Sequence, residues 1–158
     1  MQRFLKLALA TLAITSTAAA FAADNSLGSW KLNVEKSKYS PGPLPVKSLT
    51  TAREADGDGV KATTTGERAD GSPINATYTA KFDGSPASVS GQGAPYDTIS
   101  LKKVNDNTFT YETKNSSTKY RAHGRMVVSA GGKTLTMKAS GTDAEGKPMT
   151  VTLVFEKQ

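Results

Sequence analysis

From Ser26 onward, apolar and polar residues alternate with a period of two, and short turn sequences interrupt the alternation at regular intervals. Strand-like runs fall at Leu27–Val34, Lys47–Glu54, Val60–Glu67, Pro73–Phe82, Ala87–Ser90, Thr98–Val104, Thr108–Lys114, Thr118–Val128, Thr134–Gly141 and Met149–Glu156. Between them lie Asp56-Gly57-Asp58-Gly59, Asp70-Gly71, Asp83-Gly84, Asn105-Asp106-Asn107, Asn115-Ser116, Gly131-Gly132 and Glu145-Gly146. Such Asx-Gly and Gly-Gly pairs supply the positive φ that tight hairpins need. The pattern predicts an all-β, antiparallel, up-and-down meander of about ten strands.

Alternation sorts the side chains into two faces. The apolar face carries Trp30, Leu32, Val34, Val60, Ala62, Ile74, Ala76, Tyr78, Ala80, Phe82, Ile99 and Leu101. It continues through Phe109, Tyr111, Tyr120, Ala122, Met126, Val128, Leu135, Met137, Met149, Val151, Leu153 and Phe155. The opposite face is wet, with Lys61, Lys81, Lys102, Glu112, Arg121, His123, Arg125 and Lys138 among its residues. One dry face shared by ten short strands can be buried in a closed barrel or in a sandwich. Consecutive hairpins favour the barrel, which closes without crossings and removes both sheet edges.

Two features stand apart from the hairpin rhythm. Glu35 to Lys47 contains Pro41-Gly42-Pro43-Leu44-Pro45, a stiff extended connector that reads as a flap over the barrel mouth or as a plain crossing. Val60 to Phe82 also echoes Leu135 to Phe155, with Gly66, Ala69, Asp70, Gly71 and Pro73 facing Gly141, Ala144, Glu145, Gly146 and Pro148, each 75 positions apart. Both copies read Gly-x-x-Ala-acid-Gly-x-Pro, and the flanking apolar positions repeat as well. This favours an ancestral duplication over a turn that arose twice.

The start of the chain changes where the protein is expected to act. Arg3 and Lys6 precede an uncharged Ala/Leu-rich run, Leu7 to Ala22, which ends in the small-x-small sequence Ala20-Phe21-Ala22. These are the zones of a secretory signal peptide. The run is too short and too rich in hydroxyls for a membrane span. Cleavage after Ala22 would make residues 1–22 the leader and residues 23–158 a single domain, without a membrane anchor, in the periplasm or secreted.

Composition mainly excludes. The chain has no cysteine, so disulfides, thiolate metal sites and thiol nucleophiles are ruled out. Its net charge of +6 falls to +4 once Arg3 and Lys6 are removed, and the excess is scattered. A nucleic-acid footprint needs a contiguous basic stripe with stacking aromatics, so no nucleic-acid partner is expected. The single histidine, His123, shares the wet face with Arg121 and Arg125, and no Gly-x-Ser-x-Gly elbow is present. One histidine cannot anchor a zinc site. Asp56-Gly57-Asp58-Gly59 lacks the ligands that close a calcium loop. No catalytic residue, metal site or cofactor is therefore expected.

Gly28-Ser29-Trp30-Lys31-Leu32 resembles the Gly-x-Trp first strand of calycins, the group of lipocalins and fatty-acid-binding proteins. Val154-Phe155-Glu156-Lys157 is similar to the last strand of the fatty-acid-binding branch. The resemblance implies a calycin-like barrel with a small apolar ligand in its lumen. It has departures. The Pro-rich connector stands where that branch has two helices, and Leu153-x-Phe155 stands where it has Arg-x-Tyr.

The interior is thus the candidate site. A ten-strand barrel is wider than the eight-strand case whose side chains just fill it. The expected lining is Tyr78, Phe82, Phe109, Tyr111, Tyr120, Met126, Met137 and Phe155, with Trp30 as a structural plug at the closed end. The preferred reading is a non-catalytic barrel that binds or carries a small hydrophobic molecule. The alternative is a structural or protein-interaction module of the cell envelope with a packed core. An enzyme finds least support.

Overall fold

The computed structural model describes residues 24–158, so the leader assigned to residues 1–22 lies outside the described residues. Eleven strands follow: β1 (Gly28–Leu32), β2 (Lys38–Ser40), β3 (Val46–Asp56), β4 (Gly59–Arg68), β5 (Pro73–Lys81), β6 (Asp83–Gln92), β7 (Thr98–Asn105), β8 (Thr108–Lys114), β9 (Arg121–Val128), β10 (Thr134–Thr142) and β11 (Pro148–Lys157). From β3 to β11, each strand pairs antiparallel with the next. β1 pairs with β3 on one side and β11 on the other, which closes the sheet into a ring of ten strands. The up-and-down barrel that the alternation predicts is the fold observed.

The eleventh strand comes from the segment read as a connector. Tyr39 pairs with Val151, so β2 lies along the same edge of β11 as β1, one stretch further on. The break between them is filled by Ser37. Its hydroxyl donates to the Asn33 carbonyl (2.7 Å) and accepts from the Val154 N–H (3.0 Å), a donor the interrupted ladder would otherwise leave unpaired. Beyond β2, the Pro45 carbonyl accepts from the Ala69 N–H (2.9 Å), and Leu44 and Val46 pack against the edge of the core. Pro41 to Pro45 thus crosses beside the β4–β5 turn.

Three further details differ from the sequence expectation. Val34, assigned to the dry face, is exposed because β1 has already ended at Leu32. Thr118 to Tyr120 precede β9 and form part of its turn, where the Asn115 N–H bonds the Tyr120 carbonyl. β6 is longer than Ala87–Ser90 because backbone pairing continues past the point where Gly, Ser and Pro replace apolar residues.

The solid part of the core sits at one end of the barrel. Trp30, Val60, Phe109, Leu101, Met126, Leu135 and Val128 are all at most 2% exposed. Phe82 meets Phe109 with ring centroids 5.1 Å apart. Around this floor lie the β3–β4, β7–β8 and β9–β10 turns.

The 75-residue echo is a structural one at the other end. The Gly71 N–H bonds the Arg68 carbonyl and the Gly146 N–H bonds the Asp143 carbonyl, both at 3.0 Å. The two glycines have φ of 88° and 89°, a region that strongly favours glycine. Gly66 and Gly141 also match. A Cβ there would stand 2.1 Å from the Ser48 carbonyl oxygen and 2.0 Å from that of Arg121. Both positions let a strand bend closely onto its neighbour, which barrel closure requires.

Candidate functional site

Because directly paired residues share a face, the register shows what lines the lumen. Leu101, Tyr111, Gly124, Ala139, Val151 and Tyr39 are successive partners from β7 to β2 and form one inward row. Towards the floor, Phe109, Met126, Met137 and Leu153 form the next row. Towards the opposite end, Thr113, Ala122, Gly141 and Met149 form another.

The eight residues expected to line the lumen separate into two groups. Phe109, Met126 and Phe155 are buried in the floor, with Phe82 and Met137 half-buried against it. Tyr78, Tyr111 and Tyr120 stand above. Tyr111 is 7% exposed, whereas Tyr78 and Tyr120 are half-buried. Tyr120 comes from the turn before β9 and stacks on Tyr96, with centroids 6.2 Å apart and planes inclined by 29°.

Tyr96, in the β6–β7 turn, was not among the expected residues. Arg53, on β3, was not either. The register of Arg53 with Ala62, and of Ala62 with Tyr78, puts it on the inward face. It is 5% exposed. Its Nε donates to Ser26 Oγ and its Nη1 to the Tyr78 hydroxyl, each at 3.2 Å. Nη2 is buried and has no hydrogen-bond partner. Ser26 also donates its hydroxyl to Asp24 Oδ1 (2.7 Å), and its carbonyl accepts from Trp30 Nε1 (2.8 Å). Ser26 therefore links Arg53 to the Trp30 plug, and Arg53 reaches on to Tyr78. Beside it on β3, the Thr51 hydroxyl bonds that of Thr64 across the β3–β4 pair.

Burial sets the protonation of the aromatic hydroxyls. It pushes Tyr96 far above the ordinary phenol range, and the neighbouring Tyr78, Tyr120 and Tyr111 add to the effect, while the charge of Arg53 opposes it. Tyr111 is raised in the same way, by burial first and then by Tyr120 and Tyr78. Burial raises Tyr120 as well. These phenols stay protonated at neutral pH and can donate hydrogen bonds.

Packing is uneven along the barrel axis. Above the floor, Leu49, Thr51, Thr64, Ala139 and Val151 point inward yet are only half-buried. Residual accessibility on inward side chains means that solvent-sized space remains beside them. Outside, the outward face of β7 to β11 carries an open depression of about 920 Å³, flanked by Lys102, Glu112, His123, Arg125 and Lys138. His123 is exposed there, paired in register with Glu112 and with Ser140. Among the described residues, no group of three or more His, Asp or Glu could hold a metal ion.

No protein-family model matches the chain, and no curated protein matches it in sequence. Solved structures match the fold. The zebrafish ileal bile acid-binding protein complexed with cholic acid has a TM-score of 0.51 at 11% identity, covering 85% of this chain and 100% of that one. The structure of EF1p2-mFAP2b bound to DFHBI has the same TM-score and identity, covering 85% of this chain and 94% of that one. A redesigned β-barrel, mFAP1, bound to DFHBI, has a TM-score of 0.43 at 15% identity, covering 82% of this chain and 94% of that one. The chain has the fold of a calycin-like small β-barrel.

Proposed function

We propose that this protein is an exported, non-catalytic barrel that binds or carries a small, largely apolar molecule in its lumen. The observation that carries this reading is the uneven interior. The floor is packed solid, while above it inward side chains stay half-buried around Tyr78, Tyr96, Tyr111 and Tyr120. An apolar chamber with a few converging polar groups is the usual form of a small-molecule site. The zebrafish protein of this fold was solved with cholic acid and EF1p2-mFAP2b with DFHBI, which supports the same use of the fold here.

The uncharged dye N-phenyl-1-naphthylamine tests the proposal. Its fluorescence is expected to rise on binding the mature chain, and Ala139→Trp is expected to weaken that binding roughly tenfold or more by filling mid-lumen volume. Absence of any response from the wild-type chain to this and other apolar dyes would count against a lumen site. Export has its own test: intact mass of the protein recovered outside the cytoplasm should begin at Ala23. A chain retaining Met1 would contradict it.

A second reading, an envelope interaction module, draws on the outer depression with Lys102, Arg125 and Lys138. It predicts a partner whose capture is lost in a Lys102→Glu/Arg125→Glu variant that still binds dye as the wild type does.

A further inference from the structure

We infer that the outer face of β7 to β11 binds a linear anionic polysaccharide, a chain of uronic acids lying across the strands in the open depression. This names an occupant for the envelope-module reading and rests on that reading, not on the lumen. The basic excess is scattered along the sequence, but strand pairing gathers it. Lys102 on β7 begins an outward row that runs through Thr110, Arg125, Lys138 and Thr152 to Lys38 on β2. The second outward row beyond it pairs Lys114 with Arg121. All six cations are exposed, and none of the ion pairs among the described residues involves them. These three rows of β7 to β11 and β2 hold one carboxylate, Glu112. Asp83 flanks Lys102 from β6, with one carboxylate oxygen held by the Ser85 N–H (2.8 Å) and hydroxyl (2.6 Å). Elsewhere the described residues carry 12 Lys and Arg against 13 Asp and Glu, so their net positive charge comes from this face.

The arrangement works against the fold. Arg125 stands directly opposite Lys138, and Lys114 opposite Arg121. Like charges so placed destabilise a sheet, and an anion seated between them relieves the repulsion. The shape and lining of the depression select which anion. It is concave, about 920 Å³, so a flat lipid surface would meet only its rim. Its outward side chains include the hydroxyls of Ser100, Thr110, Ser140, Thr150 and Thr152 and no aromatic ring. A folded protein partner needs an apolar centre to its interface, and a nucleic-acid single strand needs rings on which bases stack. A uronic acid chain needs neither. It brings carboxylates to the cations and hydroxyls to the Ser and Thr side chains between them. From Lys102 to Lys38 the row crosses from β7 to β2 at about 4.8 Å per strand, roughly 24 Å in all, so several sugars are held at once.

The test is calorimetric titration of the mature chain at low ionic strength with sodium polygalacturonate and with its methyl ester, the same backbone without charge. The acid polymer is expected to bind roughly tenfold more tightly than the ester or better, and to weaken steeply as salt is added. Arg125→Glu/Lys138→Glu should cost roughly tenfold or more. Lys31→Glu/Lys61→Glu makes the same change in net charge at exposed positions outside the three rows, and should stay within about twofold of the wild type. Both variants should keep the lumen dye response, which shows an intact barrel. Poly-glutamate and phosphatidylglycerol vesicles should bind more weakly than polygalacturonate at equal charge. Equal losses in the two variants, or tighter binding to either competitor, would overturn the inference. So would no binding of polygalacturonate, and partner capture lost in Lys102→Glu/Arg125→Glu would then leave the envelope-module reading standing with a different occupant.

Discussion

Trp30→Ala is expected to remove about 3–5 kcal/mol of folding stability, the range for deleting a large aromatic side chain from a packed core. Three losses combine at this position. The indole is 0% exposed, so its removal opens a cavity among the floor residues. Its Nε1 donates to the Ser26 carbonyl (2.8 Å), which would be left without that partner. Lys157 Nζ lies 4.8 Å from the ring centroid, a cation–π contact across the β1–β11 closure. Against a total of about 5–15 kcal/mol for a domain of this kind, the variant would be close to unfolded. Urea titration followed by circular dichroism measures the change. Trp30→Phe, which keeps much of the volume and loses the N–H, should fall between the two. A near-wild-type midpoint for Trp30→Ala would show that the floor is not the stabilising core.

The barrel is also expected to unfold steeply in alkali. A phenol with a raised pKa in the fold holds its proton more tightly there than in the unfolded chain. The stability that this contributes is complete below the unfolded value near 10 and is lost as pH climbs through the folded one. Burial raises Tyr96, Tyr111 and Tyr120 together. Each titrating proton changes stability by about 1.4 kcal/mol per pH unit, so Tyr96 and Tyr111 give a slope of roughly 3 kcal/mol per unit above about pH 10, in the same direction as the smaller effect of Tyr120. Phenolate absorbance should then grow in the same cooperative step that destroys the sheet signal. Gradual phenolate formation within an intact sheet would show that water reaches these hydroxyls freely. Tyr96→Phe and Tyr111→Phe should each make the alkaline slope shallower.

Most of the barrel was legible in the sequence because its turns are chemically explicit and its dry face is apolar. β4, β5, β7, β8, β10 and β11 alternate cleanly, and their hairpins carry the glycines or Asx residues that set register. β2 was not legible. Its three residues, Lys38, Tyr39 and Ser40, are held by pairing with β11 across the fold, and no local pattern announces that. The floor half of the site followed from hydropathy. The polar half did not. On β3 the inward positions are Leu49, Thr51 and Arg53, so the buried row reads as polar as the exposed one. Tyr96 sits in a turn, where alternation has no meaning. The resemblance to the fatty-acid-binding branch directed attention to the last strand, where Leu153 and Phe155 are apolar, whereas the buried cation stands on β3. A buried charge whose neighbours are hydroxyls leaves no trace in a hydrophobic pattern, because each of those residues is equally ordinary on a surface.

The pairing of β1 with β11 has a kinetic consequence. The bond from Lys157 Nζ to the Leu27 carbonyl spans 130 positions of the chain, and the Gln158 N–H reaches back to the Ser29 carbonyl. Contacts so distant in sequence must overcome a large loop-closure entropy before they contribute anything, so the protein should be a slow folder for its size. Until its last strand docks, the half-rolled sheet would present two unpaired edges, and during that interval self-association would compete with completion.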